Sequence, residues 1–414
     1  MTRTRLALMF SCAVLLLSQL VPRAAATGSR YLYVWAGDWD RQDSDFLAVL
    51  DIQPAPGRYG RVITTVPVGE KGLNPHHTEH ELSSTGTLFA NGFAGNTTFL
   101  FNLKKPLEPK VVQRFSNVNG LSFLHSFSRL PNGHVLATFQ GHGSDNRVPG
   151  GLAEIDETGT EVRSARADDP TAPGQDTLRP YSLAVVPSLD RVVIGLTAMG
   201  IPTWSPMHDM AEHLDHAGDQ IQVWRLSDLK VIKTITLPKT ASGMPERAPS
   251  EPRVLSDGKT VLVMTMGCGL YRVTGLDTVE PAAELVFDPG VTGCGVPVVV
   301  GHYFMMPVSS THSVLSLDVS DVKHVHEVSA LTLNSRQQPH WLATDGTRMV
   351  VANVAPSLEH RIWMARVDST NGALSLDEEF REVGSDEPGF DFNRASWPHG
   401  PTGDASPHGS IFAP

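Results

Sequence analysis

The chain has 414 residues, 41% of them hydrophobic, and a formal charge of −11 that is spread along its length rather than gathered in a tail. This is enough apolar material for a sizeable core, and the acidic balance argues against nucleic acid or an anionic membrane surface as partner. Glycine (36) and proline (30) recur throughout, with no low-complexity linker between them, so one repeated architecture fits the chain better than several joined domains.

The N-terminal residues Thr2-Arg3-Thr4-Arg5 precede an apolar stretch from Leu6 to Leu20 and then Ala24-Ala25-Ala26. A basic start, an apolar centre and small residues at a cleavage point are the layout of a secretory signal. Residues 1–26 are therefore expected to be a signal peptide and residues 27–414 a single mature domain, periplasmic or secreted. Cys12 has Ala13 to Leu17 still following it within the apolar stretch, which argues against a lipid anchor. No later segment approaches the roughly 20 apolar residues that span a bilayer.

Along the mature chain one element recurs, an alternating apolar strand that ends near a polar residue and a turn. It is read at F-L-A-V-L-D-I from Phe46, T-F-L-F-N-L from Thr98, G-L-A-E-I-D-E from Gly151 and Q-I-Q-V-W-R from Gln220. It returns at G-L-Y-R-V-T from Gly269, S-V-L-S-L-D-V from Ser313 and R-I-W-M-A-R-V-D from Arg361. Seven copies roughly 45 to 70 residues apart fall within or just beyond the spacing of propeller blades. An all-β, seven-bladed β-propeller follows, with S-P-H-G-S-I-F from Ser406 pairing beside Tyr31 to Trp35 to close the ring. The insertion Trp204 to His216 has helical composition, and a helix there would put His208, Glu212 and His216 on one face, as a lid or as a solvated surface helix.

The strongest chemical signal is N-P-H-H-T-E-H-E, Asn74 to Glu81, with three histidines and two carboxylates in eight residues just ahead of a strand. His80, His125 and His340 each stand shortly before a turn and a β-branched or apolar run, which gathers them at corresponding places in the repeat. Imidazoles converging from rigid strands suit copper, zinc, iron or nickel. The candidate ligands are His77, His80, His125, His340 and His399. Glu79 or Glu81 is a candidate to orient a ligating imidazole, and Glu79 and Glu251, the latter in P-S-E-P-R, are candidate acid/base groups. Cys268 and Cys294 each lie within Gly-Cys-Gly, and a disulfide, two free buried thiols and a thiolate ligand are all open for them. No G-x-S-x-G nucleophile elbow and no P-loop occurs.

Six motifs follow one another along the chain: Y-L-Y-V-W at Tyr31, H-E-L-S-S-T-G at His80, L-H-S-F-S-R-L-P-N-G at Leu124, D-Q-I-Q-V-W-R at Asp219, Q-P-H-W-L-A-T-D-G-T-R-M-V-V at Gln338 and T-G-D-A-S-P-H-G-S-I-F at Thr402. In this order they resemble the selenium-binding protein family, which includes copper-dependent methanethiol oxidases. The resemblance implies a seven-bladed propeller, a histidine-lined copper site and oxidation of a small thiol by oxygen. His125 matches a family histidine and His399 lies near another. The chain departs from the family at Ser83-Ser84, where adjacent histidines are expected, and across Ala90 to Phe93, where a cysteine pair is expected, so selenium binding through that pair is not anticipated. His76, His77 and His80 stand close to the lost pair as a replacement set. Two other readings compete: a propeller that binds a ligand or protein without turnover, and a lactonase-like hydrolase using calcium or zinc.

Overall fold

The computed structural model describes residues 28–199, 218–353 and 360–414. Each recurrent apolar run becomes the third strand of an antiparallel sheet: Phe46–Asp51, Thr97–Asn102, Gly151–Ile155, Gln220–Arg225, Leu270–Thr274, Ser313–Asp318 and Arg361–Val367. The seven sheets are the blades of a β-propeller. Six have four strands, and the seventh carries in addition the short strand Phe390–Asp391.

The burial of each strand follows from its place in the blade. Outer strands such as Arg61–Pro67 and Lys110–Phe115 are half-exposed and carry charged residues, whereas the second and third strands are buried on both faces. Between neighbouring blades the apolar side chains form separate cores. Trp35, Phe99 and Phe101 fill the one between the first and second blades, with ring centroids 5.7 Å apart from Trp35 to each phenylalanine.

The innermost strand of blade 1 is C-terminal. Ala405–Ala413 pairs antiparallel with Tyr31–Asp38, from Tyr31↔Ala413 to Asp38↔Ala405. This joins the two ends of the described chain in one sheet and leaves no open edge in the ring. The other innermost strands are Pro75–Thr78, Leu121–Arg129, Pro180–Val186, Pro249–Val254, Val298–Val300 and Pro339–Thr344, for blades 2 to 7.

Cys268, in the turn before the third strand of blade 5, forms a disulfide with Cys294, ahead of blade 6. This resolves the three options open for these residues. The expected signal segment and the helical insertion at 204–216 lie outside the described residues. Among the described residues no helix is long and apolar enough to cross a membrane.

Candidate metal centre

In six of the seven blades the pairing of the innermost strand shifts by one residue, and the shift falls where the chemistry is. The shifts lie between Pro75 and Thr78, Leu124 and Phe127, Pro180 and Leu183, Pro249 and Glu251, and Pro339 and Trp341, and in blade 1 opposite His408-Gly409. A bulge puts one extra residue on its strand and re-aims the side chains there. The bulged segments hold His76-His77, His125-Ser126, Tyr181-Ser182, Ser250, His340 and His408. Blade 6, whose short innermost strand pairs without a shift, contributes none of these groups.

A bulge leaves backbone groups without ladder partners, and polar side chains on, or just past the end of, second strands take them up. Asn91 accepts from the His77 amide at 2.6 Å and donates to the Leu124 and His125 carbonyls at 2.7 and 3.1 Å. Thr138 accepts from the Ser126 amide at 3.0 Å and donates to the Tyr181 carbonyl at 2.6 Å, and Thr197 donates to the Pro249 carbonyl at 2.6 Å. Asn91 thus ties the two strands that carry three of the histidines. An Asn91→Leu substitution is expected to lower unfolding stability by about 3 kcal/mol, because it strands buried backbone groups. Chemical denaturation measures this, and a change below about 1 kcal/mol would show that the clamp is dispensable.

The bulged strands bring the imidazoles together at the axis. The ligating nitrogens of His76, His77 and His125 can all lie within 4.8 Å of one another. His76 Nε2 and His125 Nε2 are 3.0 Å apart, and the His76 and His77 rings stack at 4.4 Å. His408 lies 4.3 Å from the His76 ring centroid, and His340 lies 4.9 Å from His408. All five are buried.

The chemistry of the donors fits a metal ion. His125 Nδ1 stands 2.8 Å from the Tyr181 carbonyl, which only accepts, so the neutral ring carries its proton there and keeps a lone pair on Nε2. The Nε2 atoms of His77 and His340 are buried without a hydrogen-bond partner. Burial holds the imidazoles of His76, His77 and His408 well below the usual histidine range, with further lowering from neighbouring histidines. It takes His125 to about 3 and His340 to about 4. Neutral imidazole is the form that ligates a metal.

The two ends of the axis differ. On one side Phe93, Phe123, Tyr181, Met199, Ala248 and Met266 form an apolar cap, with the Phe93 ring 5.7 Å from His76 and 5.3 Å from His125. On the other, the downstream ends of the innermost strands line a cavity of about 380 Å³ whose polar wall includes Glu79, His80, Glu81, Arg129 and Arg253.

The expected site residues divide accordingly. His77 and His125 belong to the three-imidazole group, and His340 flanks it through His408. His80 does not join them. Its ring stacks on Trp341 at 4.9 Å and 8°, and its Nε2 lies 3.2 Å from Arg253, at the cavity side of the axis. His399 is away from the axis altogether, with Nδ1 2.6 Å from Thr65 Oγ1 on the outer strand of blade 1 and Nε2 2.7 Å from Thr402 Oγ1. Both of its nitrogens are engaged, so it has no donor to give.

Neither glutamate touches the imidazole group. Glu79 pairs with Arg129 at 2.7 Å and accepts from the Phe89 amide at 2.9 Å, so the expectation that it orients a ligating imidazole is corrected. Burial nonetheless pushes its carboxyl up to about 7. Glu251, also buried, pairs with Arg253 at 2.8 Å. His408 was not among the expected ligands, and His76 was expected only as part of the replacement set near the lost pair. A signal for them was present: a proline immediately precedes the bulged residue in five innermost strands, at Pro75-His76, Pro180-Tyr181, Pro249-Ser250, Pro339-His340 and Pro407-His408. Proline lacks the N–H that a bulge would leave unpaired.

The chain is 27% identical over 231 residues to a methanethiol oxidase of a Hyphomicrobium species, which covers 52% of this chain and 50% of that protein. In sequence it is thus similar to a methanethiol oxidase over about half its length. The matched segment spans only half of the relative's length. No family profile matches the chain. The fold superposes on a hypothetical selenium-binding protein from Sulfolobus tokodaii with a TM-score of 0.72 over 94% of both chains, at 18% identity. Propellers with other activities are similar at lower scores. A periplasmic gluconolactonase from Pseudomonas aeruginosa gives a TM-score of 0.58 at 11% identity, covering 84% of this chain and 94% of that one. A putative 6-phosphogluconolactonase from Bacteroides fragilis gives the same score and identity, covering 94% and 99%.

Proposed function

We propose that this protein is a periplasmic or secreted, copper-dependent oxidoreductase that oxidises a small thiol with oxygen. The observation that carries the proposal is the imidazole group itself: His76, His77 and His125 converge with neutral rings, and an acceptor fixes the proton of His125 away from the others. Bound copper would supply the one-electron chemistry that side chains lack. His76, His77 and His125 would hold it, with His340 and His408 beside them. Imidazole donors favour copper over calcium, which takes oxygen ligands, and this counts against a calcium-dependent lactonase-like reading. The similarity to a methanethiol oxidase supports a thiol as substrate.

The chain's own residues do the rest. The apolar cap of Phe93, Phe123, Met199 and Met266 excludes water from the imidazoles and offers a surface complementary to an alkyl group. Export rests on the N-terminal pattern, and N-terminal sequencing of protein from the periplasm or medium is expected to begin near Thr27.

Oxygen uptake with methanethiol and longer alkyl thiols tests the activity. Copper-loaded protein is expected to consume oxygen in step with loss of the thiol, most rapidly for the smallest, while metal-free protein does neither. Protein that retains copper yet leaves every small thiol unoxidised would overturn the oxidase reading in favour of a non-catalytic metal-binding propeller.

A further inference from the structure

In the six bulged strands the residue after the first bulged one is Gly409, His77, Ser126, Ser182, Glu251 or Trp341, from blades 1 to 5 and 7 in turn. All six are buried. Residues just downstream, among them Phe127, Leu183, Pro252 and Ala343, line the axial cavity. This layer therefore stands between the imidazoles and the cavity.

Trp341 is its largest member, and it covers more than its own blade. Blade 1 supplies no side chain at this level, because it has Gly409 there, and the indole from blade 7 crosses that place to reach blade 2. It meets the His77 ring at 4.9 Å and 69° and stacks on the His80 ring at 4.9 Å and 8°, with the His408 ring 5.8 Å away. Its Nε1–H donates to the Ser410 carbonyl of blade 1 at 3.1 Å, and a backbone bridge to Val296 holds its strand from the side of blade 6. His80 belongs to the cavity wall, so the indole has the imidazole group on one side and the cavity wall on the other. The two closures differ in build. Trp341 sits within the strand Pro339–Thr344, whereas Phe93 and Met266 of the cap stand in turns just past Thr87–Gly92 and Val261–Thr265. Turns open more readily than strands packed on both faces.

We propose that Trp341 plugs the propeller axis: its indole seals the imidazole group from the polar cavity, so that small molecules reach the imidazoles only past the apolar cap. The seal is a property of the metal-free protein, and only the arrival of metal and thiol through the cap rests on the oxidase reading. One-sided access makes the route selective, since an alkyl thiol passes apolar side chains and never meets the carboxylates and arginines of the cavity wall.

Diethyl pyrocarbonate, which acylates neutral imidazole, tests the seal in metal-free protein, with modification of His76 and His77 read by peptide mass spectrometry. Extraction of copper by a chelator tests it in loaded protein. Trp341→Ala is expected to be modified, and to lose copper, at least about tenfold faster than the wild type, because reaction no longer waits on a local opening. Trp341→Phe is expected to stay closer to the wild type than to the alanine variant. Indole added to Trp341→Ala is expected to fill the vacated space and restore protection, which it could not do for an unfolded chain. With Trp341 in place, Met266→Ala in the cap is expected to speed modification, and Val254→Ala, which widens the cavity, is not. Unchanged modification in Trp341→Ala, a failure of indole to protect it, or acceleration by Val254→Ala but not by Met266→Ala would each overturn the proposal. The expected modification pattern in a protein that takes up no copper would sustain the plug and overturn the copper reading.

Discussion

Replacing His125 with alanine is expected to lower metal affinity by at least about 100-fold, more than any change outside the imidazole group, because removal of a ligand exceeds the 10- to 100-fold cost of losing a group behind one. His125 has the most constrained donor in the cluster. Its Nδ1 is tied to the Tyr181 carbonyl at 2.8 Å, its ring packs 3.8 Å from Tyr181, and its Nε2 faces His76 Nε2 at 3.0 Å. Two nitrogens this close are held either by a shared proton or by a shared ion, and the alanine variant has neither. His76 and His77, two adjacent residues of one strand, would remain without the donor from the neighbouring blade. The same substitution at His399, whose nitrogens are taken by Thr65 and Thr402, is expected to leave affinity unchanged. Chelator competition on both variants measures the contrast. Equal affinities would mean that the metal is held elsewhere.

The second large effect is acid sensitivity of the metal-free protein. Six buried imidazoles, those of His76, His77, His80, His125, His340 and His408, have folded pKa values depressed below the ordinary histidine value, chiefly by burial. Below about pH 6.5 the unfolded chain binds protons that the folded chain refuses, so stability is full above that pH and falls as the solution is acidified toward the folded values, about 4 for His340 and about 3 for His125. Each such group contributes roughly 1.4 kcal/mol per pH unit across that window. Four buried carboxyls act in the opposite sense. Glu79, pushed up to about 7, Asp45, pushed up to about 6, and Asp38 and Glu251, raised chiefly by burial, take up protons on folding, and their contribution grows on acidification. The six imidazoles outnumber them. The melting temperature of the metal-free protein is therefore expected to drop steeply between pH 6.5 and 4, and less steeply for His125→Ala. A flat profile across that range would show that the imidazoles are solvated and not assembled as described.

Much of the architecture was legible because the third strand of each blade is buried on both faces and so reads as a short apolar run bounded by turns. All seven such runs fall in the third strand, from Phe46–Asp51 to Arg361–Val367. The innermost strands, which carry the chemistry, are harder to read. Strand periodicity assigns alternate residues to alternate faces, and one bulge inverts the assignment for everything beyond it. His76 and His77 illustrate this. They are adjacent, so alternation would put them on opposite faces, yet both join the cluster because the bulge lies at them.

The two Pro-His-Gly tripeptides show the same limit from another side. Pro398-His399-Gly400 is followed by Pro-Thr-Gly and stays in a loop against the outer strand of blade 1. Pro407-His408-Gly409 is followed by Ser-Ile-Phe, an alternating run that pairs with Tyr31–Asp38 and becomes an innermost strand. The tripeptide is identical, and the strand after it decides which histidine reaches the axis. The space is also closed there: a side chain at Gly409 would come within 2.7 Å of the Thr78 amide nitrogen. The contact between the Ser126 and Ser182 hydroxyls had no sequence signal at all, since the two are 56 residues apart and meet only because blades 3 and 4 are neighbours.

The measurement that tests the account most directly is elemental analysis of the mature protein, purified without a histidine tag and reconstituted with copper, beside the His76→Ala/His125→Ala double variant. The account predicts stoichiometric copper in the wild type and none in the variant. Copper absent from the wild type after reconstitution, or retained equally by both proteins, would contradict a metal centre built from these imidazoles.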